Sequence, residues 1–137
     1  MTSRAARIRA FIKQWAVPFA VVWTLATLAA LFVPGDQLPS TGLLEFDKLA
    51  HFVLFAGFAG LWMVALGDTL PKAWLYVIVL GVTYGVLTEL AQEFVPGGRT
   101  GDPLDALADA LGILAGTGAF VLWRRFNPPS DGATFDS

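Results

Sequence analysis

LAHFVLFAGFAGLWMVAL, residues 49–66, is long and apolar enough to cross a bilayer, yet it carries a histidine close to its start. A membrane-spanning helix needs about 20 mainly apolar residues, within a range of about 17–25. Three further stretches meet this requirement, at residues 15–33, 73–95 and 104–123. The sequence therefore predicts an all-α membrane protein, built as a bundle of four transmembrane helices.

The composition agrees with a membrane protein and leaves little room for a soluble domain. Of the 137 residues, 55% are hydrophobic and 15% are charged, whereas a soluble domain carries about 25% charged residues. The connections between the apolar stretches are short, so we expect one domain over residues 1–137, with a polar, disordered tail at 124–137. The absence of cysteine excludes disulfides and thiolate chemistry. No basic patch lies outside the two tails, so no nucleic-acid partner is expected.

The distribution of positive charge predicts the orientation of the four helices. Lysine and arginine are enriched in the cytoplasmic connections of membrane proteins. With four spans, the two tails and the connection at 67–72 share one side, which carries seven basic residues: Arg4, Arg7, Arg9, Lys13, Lys72, Arg124 and Arg125. The other side carries only Lys48 and Arg99. We therefore expect both termini in the cytoplasm and a multi-pass protein of the cytoplasmic membrane.

Ionisable and polar residues occur near the outward ends of three predicted helices. They form the patterns Asp47-Lys48-x-x-His51, Glu89-x-x-Gln92 and Asp105-x-x-x-Asp109, with Arg99 in the loop between the last two. An ionised side chain at the centre of a membrane helix costs about 2.5–3.5 kcal/mol even on the lenient insertion scale, so the group needs an explanation. With a rise of 1.5 Å per residue, the deepest members lie about 6–9 Å inside their helix ends. This common depth predicts one polar site at the outer face.

Several of these residues also have purely structural explanations. Asp47 and Asp105 can favour the start of a helix through its dipole, and Lys48 can reach the headgroups. Asp102-Pro103 predicts a helix start with the aspartate as N-cap. The whole set can also be ion pairs that hold the helices together. His51 is the only histidine, and its near-neutral pKa makes it the candidate for proton transfer or metal ligation.

Four potential negative charges against two positive ones favour either protonated carboxyl groups or a bound cation. Oxygen-rich clusters with one histidine suit magnesium, calcium or manganese, and zinc also remains open. A divalent metal is therefore a possible cofactor, with the candidate ligands His51, Glu89, Asp105 and Asp109. Two glycine pairs with the spacing of close helix contacts accompany the site, Gly81-x-x-x-Gly85 and Gly112-x-x-x-Gly116.

The ordered patterns resemble the VanZ-like family of small bacterial membrane proteins. That family has Asp-Lys-x-x-His at the start of one helix, Glu-x-x-Gln near the end of the next, an arginine-bearing loop, and Asp-x-x-x-Asn-x-x-Gly in the last helix. The resemblance covers about residues 44–118 and departs at Asp109, where the family usually has asparagine. It implies a location in the bacterial inner membrane. The family is named for a protein that gives resistance to teicoplanin, a lipoglycopeptide antibiotic with an acyl tail.

Four functions remain open from the sequence. The first is a binding or modulating protein for an envelope amphiphile, such as a lipid headgroup, a lipid-linked precursor or a lipoglycopeptide antibiotic. The second is a membrane-embedded, metal-dependent hydrolase or transferase acting on a lipid phosphate or glycolipid. The third is an ion-coupled transporter, and the fourth is a structural role. The candidate catalytic residues are His51, Asp47, Glu89 and Asp109, and the candidate substrate-binding residues are Lys48, Arg99, Gln92 and Asp105.

Overall fold

A computed structural model of the protein describes residues 4–32, 43–94 and 102–128. Within these ranges the chain forms four α-helices: α1 (Arg4–Leu31), α2 (Leu43–Leu66), α3 (Ala73–Gln92) and α4 (Pro103–Phe126). All four are long and apolar enough to cross a membrane. The predicted all-helical, four-span architecture is therefore confirmed.

The helix ends differ from the predicted ones where polar residues continue a helix beyond its apolar part. The basic segment before Trp15 is already helical from Arg4, and α2 begins at Leu43 rather than at 49. Asp47 consequently lies in the second turn of α2 and not at the helix start, where its structural explanation placed it. At the other end of the chain, α4 continues through Phe126, which takes Arg124 and Arg125 out of the predicted tail. Residues 129–137 of that tail lie outside the described residues.

An ion-pair cluster joins the ends of three segments at the end of the bundle opposite to His51. Asp68, in the connection between α2 and α3, lies 3.0 Å from Lys13 of α1 and 3.1 Å from Arg124 of α4. Arg124 also donates a hydrogen bond to the carbonyl oxygen of Gly67. The N-terminal part of α1 and the C-terminal part of α4 therefore lie at the same end of the bundle.

Interhelical hydrogen bonds attach helix α1 to α2 and α3. Trp23 Nε1 donates to the carbonyl oxygen of Leu54 at 2.9 Å, and Trp62 Nε1 donates to Thr24 Oγ1 at 3.1 Å. Tyr84 Oη donates to the carbonyl oxygen of Thr24 at 3.0 Å. Interhelical hydrogen bonds are a main source of helix association in lipid, where apolar side chains gain little by leaving the hydrocarbon.

The centre of the bundle is apolar and is built mainly from α2, α3 and α4. Its buried members include Phe55, Met63, Val77, Ile113 and Phe120. Large apolar side chains on the outside of all four helices remain exposed, as expected for surfaces that face lipid. The polar site lies beside Phe55, at one end of this apolar core.

Candidate functional site

Two glycines on α4 bring that helix against the backbone of α2. A Cβ atom at Gly112 would contact the carbonyl oxygen of Phe52, and one at Gly116 would contact the carbonyl oxygen of Ala56. Small residues at such positions allow helices to approach closely in a membrane. Asp109 lies just before Gly112 on α4, so this close contact holds its carboxylate against α2.

Helix α3 completes the arrangement through a glycine of its own. A Cβ atom at Gly85 would lie 3.0 Å from Asp109 Oδ2 and 3.3 Å from the ring of Phe55. A larger residue at this position would press on the carboxylate. The predicted small-residue contacts at Gly81-x-x-x-Gly85 and Gly112-x-x-x-Gly116 are therefore the features that let three helices meet around the polar cluster.

His51 lies at the centre of the cluster and is 1% exposed. Its Nδ1 atom lies 2.9 Å from Asp109 Oδ1 on α4 and 3.6 Å from Glu89 Oε1 on α3. Its Nε2 atom lies 3.9 Å from Asp47 Oδ1, one turn earlier on α2. When Asp109 is ionised its carboxylate can only accept, and the hydrogen of this contact then lies on Nδ1.

Lys48 links the start of α4 to α2. Its ammonium group lies 2.9 Å from Asp102 Oδ2 and 3.3 Å from Asp105 Oδ1. Asp102 also accepts a hydrogen bond from the amide of Leu104 through Oδ1, at 2.9 Å, and its own amide donates to Glu89 Oε2 at 3.2 Å. The predicted N-cap role of Asp102 is thus confirmed, and the residue additionally connects Lys48 to Glu89.

Asp102 is the cluster residue that lies outside the apolar spans. The pKa of its carboxyl group is lowered from the ordinary value, first by the hydrogen bond from the Leu104 amide and then by the hydrogen bond from Lys48. Asp102 therefore stays ionised at neutral pH and holds Lys48 over the site. The sequence predicts only the N-cap role of Asp102. Because an N-cap aspartate uses one carboxylate oxygen for the helix, the second oxygen was available for a partner such as Lys48.

The cluster has two layers that differ in exposure. The upper layer, here called the rim, consists of Asp47, Lys48 and Asp102, whose side chains are 21%, 30% and 34% exposed. The lower layer, here called the floor, consists of the buried residues His51, Glu89, Asp105 and Asp109. The rim is the more exposed layer, and His51 lies beneath it.

Two groups of side chains in the cluster have the proximity of metal ligands. One is formed by Asp47, His51 and Asp105, and the other by His51, Glu89 and Asp109, with the ligand atoms of each group within 4.8 Å of one another. His51 belongs to both groups. The four residues predicted from the sequence as metal ligands are thus divided between two possible sites.

The structure does not place two predicted substrate-binding residues, Gln92 and Arg99, in the cluster. Gln92 is buried, and its amide Nε2 donates to the carbonyl oxygen of Leu31 at 2.7 Å, which attaches the end of α3 to the end of α1. Arg99 lies outside the described residues. The structure brings the other predicted site residues together, namely Asp47, Lys48, His51, Glu89, Asp105 and Asp109; their roles in binding or catalysis stay predictions.

The fold and the cluster define a small multi-pass membrane protein with a buried histidine and several carboxylates at one end of a four-helix bundle. A family model described as VanZ/LLP1 matches residues 2–124, nearly the whole chain. The chain therefore belongs to the VanZ-like family. No curated protein and no solved structure matches it significantly.

Proposed function

We propose that this VanZ-like protein binds the headgroup of an envelope amphiphile, such as a lipid, a lipid-linked precursor or a lipoglycopeptide antibiotic, at the outer face of the bacterial cytoplasmic membrane. The observation that carries the proposal is the layering of the cluster. Three charged side chains form a partly exposed rim, and His51 lies directly beneath them among buried carboxylates. Polar groups this costly to bury in a membrane are typical of a ligand site.

The charges of the cluster favour a headgroup that donates hydrogen bonds. Its described part contains five carboxyl groups, on Asp47, Glu89, Asp102, Asp105 and Asp109, against one lysine and one histidine. Carboxylates accept hydrogen bonds and attract cations, so an amine or hydroxyl group gains more here than a bare phosphate. Among common lipid headgroups, the zwitterionic ethanolamine headgroup fits this site better than the anionic glycerol one.

The surroundings of the rim allow the rest of such a molecule to stay in the bilayer. Leu49 follows Lys48 directly in α2, and Leu104 lies two residues after Asp102 in α4. Both leucines are exposed on the outside of the bundle. Acyl chains can therefore lie along these apolar surfaces while the headgroup occupies the rim.

The test is lipid retention by the purified full-length protein. We would reconstitute the protein into nanodiscs with equal amounts of phosphatidylethanolamine and phosphatidylglycerol, extract it gently, and identify retained lipids by native mass spectrometry. We expect retention of phosphatidylethanolamine by the wild type and by Glu93→Gln, whose exposed carboxylate lies outside the cluster, and loss of retention in Asp47→Asn. The same samples are also tested with an added lipid-linked phosphate and with teicoplanin. Equal, unspecific lipid retention in all three proteins, with no retention of either added compound, would contradict the proposal.

A second candidate, a hydrolase or transferase acting on a lipid phosphate or glycolipid, is favoured by the 2.9 Å contact between His51 and Asp109. A carboxylate on Nδ1 orients the imidazole and supports Nε2 as a general base towards water. In the same nanodiscs, a time-dependent release of headgroup or phosphate that disappears in His51→Gln would support this candidate. Retention of intact lipid without any release would support binding.

A further inference from the structure

We propose that Asp47, His51 Nε2 and Asp105 bind one divalent metal ion of the Mn²⁺ or Zn²⁺ class, with Asp109 and Glu89 orienting the histidine rather than ligating the metal. This inference deepens the proposed function and rests on it, since the metal lies between the rim that meets the headgroup and the buried floor. It differs from the ligand set expected from the sequence, which contained Glu89 and Asp109 and lacked Asp47.

The three ligands have nearly the proximity that a bound ion requires. A ring nitrogen of His51 and one oxygen each of Asp47 and Asp105 lie within 4.8 Å of one another. Metal–ligand distances of about 2.0–2.2 Å place neighbouring ligand atoms about 3–3.5 Å apart. The 3.9 Å between His51 Nε2 and Asp47 Oδ1 exceeds that spacing by less than about 1 Å, a shift within the reach of a carboxylate rotation.

The unpaired nitrogen of His51 is an independent sign of a ligand. Nε2 is buried, and no described residue forms a hydrogen bond with it. An imidazole nitrogen buried without a protein partner is costly unless another group binds there. With an ionised Asp109 holding the hydrogen on Nδ1, Nε2 presents its lone pair on the side of Asp47.

Asp109 has the role that carboxylates commonly have behind a metal-binding histidine. Such a carboxylate accepts the hydrogen of the non-ligating nitrogen, fixes the tautomer and raises the basicity of the ligating nitrogen. A metal held instead by Nδ1, Glu89 and Asp109 would require the loss of the 2.9 Å contact between His51 and Asp109. Glu89 Oε1 and Asp109 Oδ2 are also buried without a hydrogen-bond partner among the described residues, but the nitrogen of that group is the one already engaged by Asp109. The unpaired Nε2 therefore favours the group that contains Asp47.

Charge favours the same conclusion. The carboxyl groups of the cluster outnumber its lysine and histidine, and Lys48 is already shared between Asp102 and Asp105. Mutual repulsion between carboxylates at low dielectric is reduced by a divalent cation. Mixed nitrogen and oxygen ligands with a single imidazole suit Mn²⁺ or Zn²⁺ better than the all-oxygen preference of Ca²⁺.

The experiment measures Mn²⁺ binding to the purified full-length protein by electron paramagnetic resonance, with bound Zn²⁺ determined by elemental analysis. We expect the wild type to bind one ion per chain. The affinity for this ion should fall at least tenfold in Asp47→Asn and in Asp105→Asn, and it should be unchanged in Glu93→Gln. Asp109→Asn should weaken binding by about 10–100-fold without removing it, as for outer residues of metal sites. Size-exclusion chromatography and thermal unfolding of each variant show whether it is folded; Asp47 is partly exposed, so its asparagine variant is the one most expected to fold.

Each outcome decides between the assignments. No bound ion in the folded wild type, or binding that survives Asp47→Asn unchanged, overturns the proposal. Binding that is abolished by Glu89→Gln and retained in Asp47→Asn places the metal at the other group and also overturns it. Lipid retention measured in the same samples, before and after chelation, separates the two proposals. If the wild type retains the lipid selectively but binds no metal, only the metal site is contradicted. If it binds the metal but retains no lipid selectively, only the headgroup function is contradicted.

Discussion

His51 Nδ1 lies 2.9 Å from Asp109 Oδ1, and this contact between α2 and α4 joins two side chains that are each 1% exposed. The two residues are 58 positions apart in the chain. The backbone contact at Gly112 and Gly116 brings them together, and the missing side chain at Gly85 leaves space for the carboxylate. A helix contact built from glycine thus determines the chemistry of the only histidine.

Asp109→Asn should yield a well-folded protein that keeps at least part of its lipid retention. The amide oxygen of asparagine accepts the hydrogen bond from His51 Nδ1 and keeps the shape, while one negative charge is lost. Asp109→Leu leaves a buried N–H group without a partner, at a cost of about 1–3 kcal/mol in stability. Membrane accumulation and nanodisc lipid retention measure both effects.

A different result would favour ion pairs that only hold helices together. In that case Asp109→Asn, Glu89→Gln and His51→Ala should all lower accumulation, because each leaves a buried group without its partner. If the cluster is a functional site, neutralising one carboxyl group should leave membrane accumulation equal or higher and should reduce lipid retention. Parallel loss of accumulation and retention in all three variants would contradict the site.

Gly112→Ala should destabilise the protein by about 1–3 kcal/mol, the usual range for overpacking. The added Cβ atom meets the backbone of Phe52 and Ala56 in α2, which can yield only if the helices separate. Gly118→Ala on the same helix is the matched control, because nothing lies within 4 Å of its added Cβ atom. Thermal unfolding in detergent compares the two; equal effects would mean that the close helix contact is unimportant.

Asp102→Asn should destabilise the protein at neutral pH and lose this effect in acid. Asparagine can still cap Leu104 but gives up the charge that pairs with Lys48. Because the pKa of Asp102 is lowered in the folded state, its stabilising contribution is complete above the ordinary carboxyl pKa of about 3.9 and disappears as the pH falls through the lower folded value. Unfolding temperatures of wild type and variant should therefore differ at pH 7, and the difference should shrink as the pH falls below about 4. A difference that does not change across the whole acid titration would assign the effect to capping instead.

Gln92→Leu should lower stability while leaving the lipid preference of the remaining folded protein intact. The substitution removes the donor to the Leu31 carbonyl oxygen, which attaches α1 to α3, and a lost buried hydrogen bond of this kind costs about 1–3 kcal/mol. Thr83→Ala is a control on the same helix, since that exposed hydroxyl donates to the carbonyl oxygen of Val79, four residues earlier in α3. A loss of lipid selectivity without a loss of stability would return Gln92 to the binding site.

A reporter fused after Ser137 should be active only as a cytoplasmic fusion. The reason is the excess of basic residues at the end of the bundle where Lys13, Asp68 and Arg124 meet. A second reporter inserted between residues 34 and 41 should show the opposite location. Periplasmic activity of the C-terminal fusion would mean that the orientation is the reverse of the predicted one, with the His51 cluster at the cytoplasmic face.

The sequence by itself determined the spans and the level of the site along them. Length and hydropathy define each membrane helix, and helical spacing places Asp47 with His51, and Asp105 with Asp109, on single helix faces. The boundaries were less predictable: α2 begins at Leu43 because polar residues such as Asp47 can continue a helix at the membrane surface. Periodicity within a helix was therefore sufficient for the depth and facing of these groups.

The pairing between helices was decided only by the tertiary structure. Each helix can rotate about its axis and shift against its neighbours without any change in its own spacing. Close backbone contact at Gly112 and Gly116 fixes that rotation for α2 and α4, so Asp109 rather than Asp105 meets His51 Nδ1. The same packing places Gln92 next to the Leu31 carbonyl oxygen instead of the cluster. It also brings Asp102 into the cluster through Lys48. In both cases the side chain bonds to the partner that the packing of the helices places within reach.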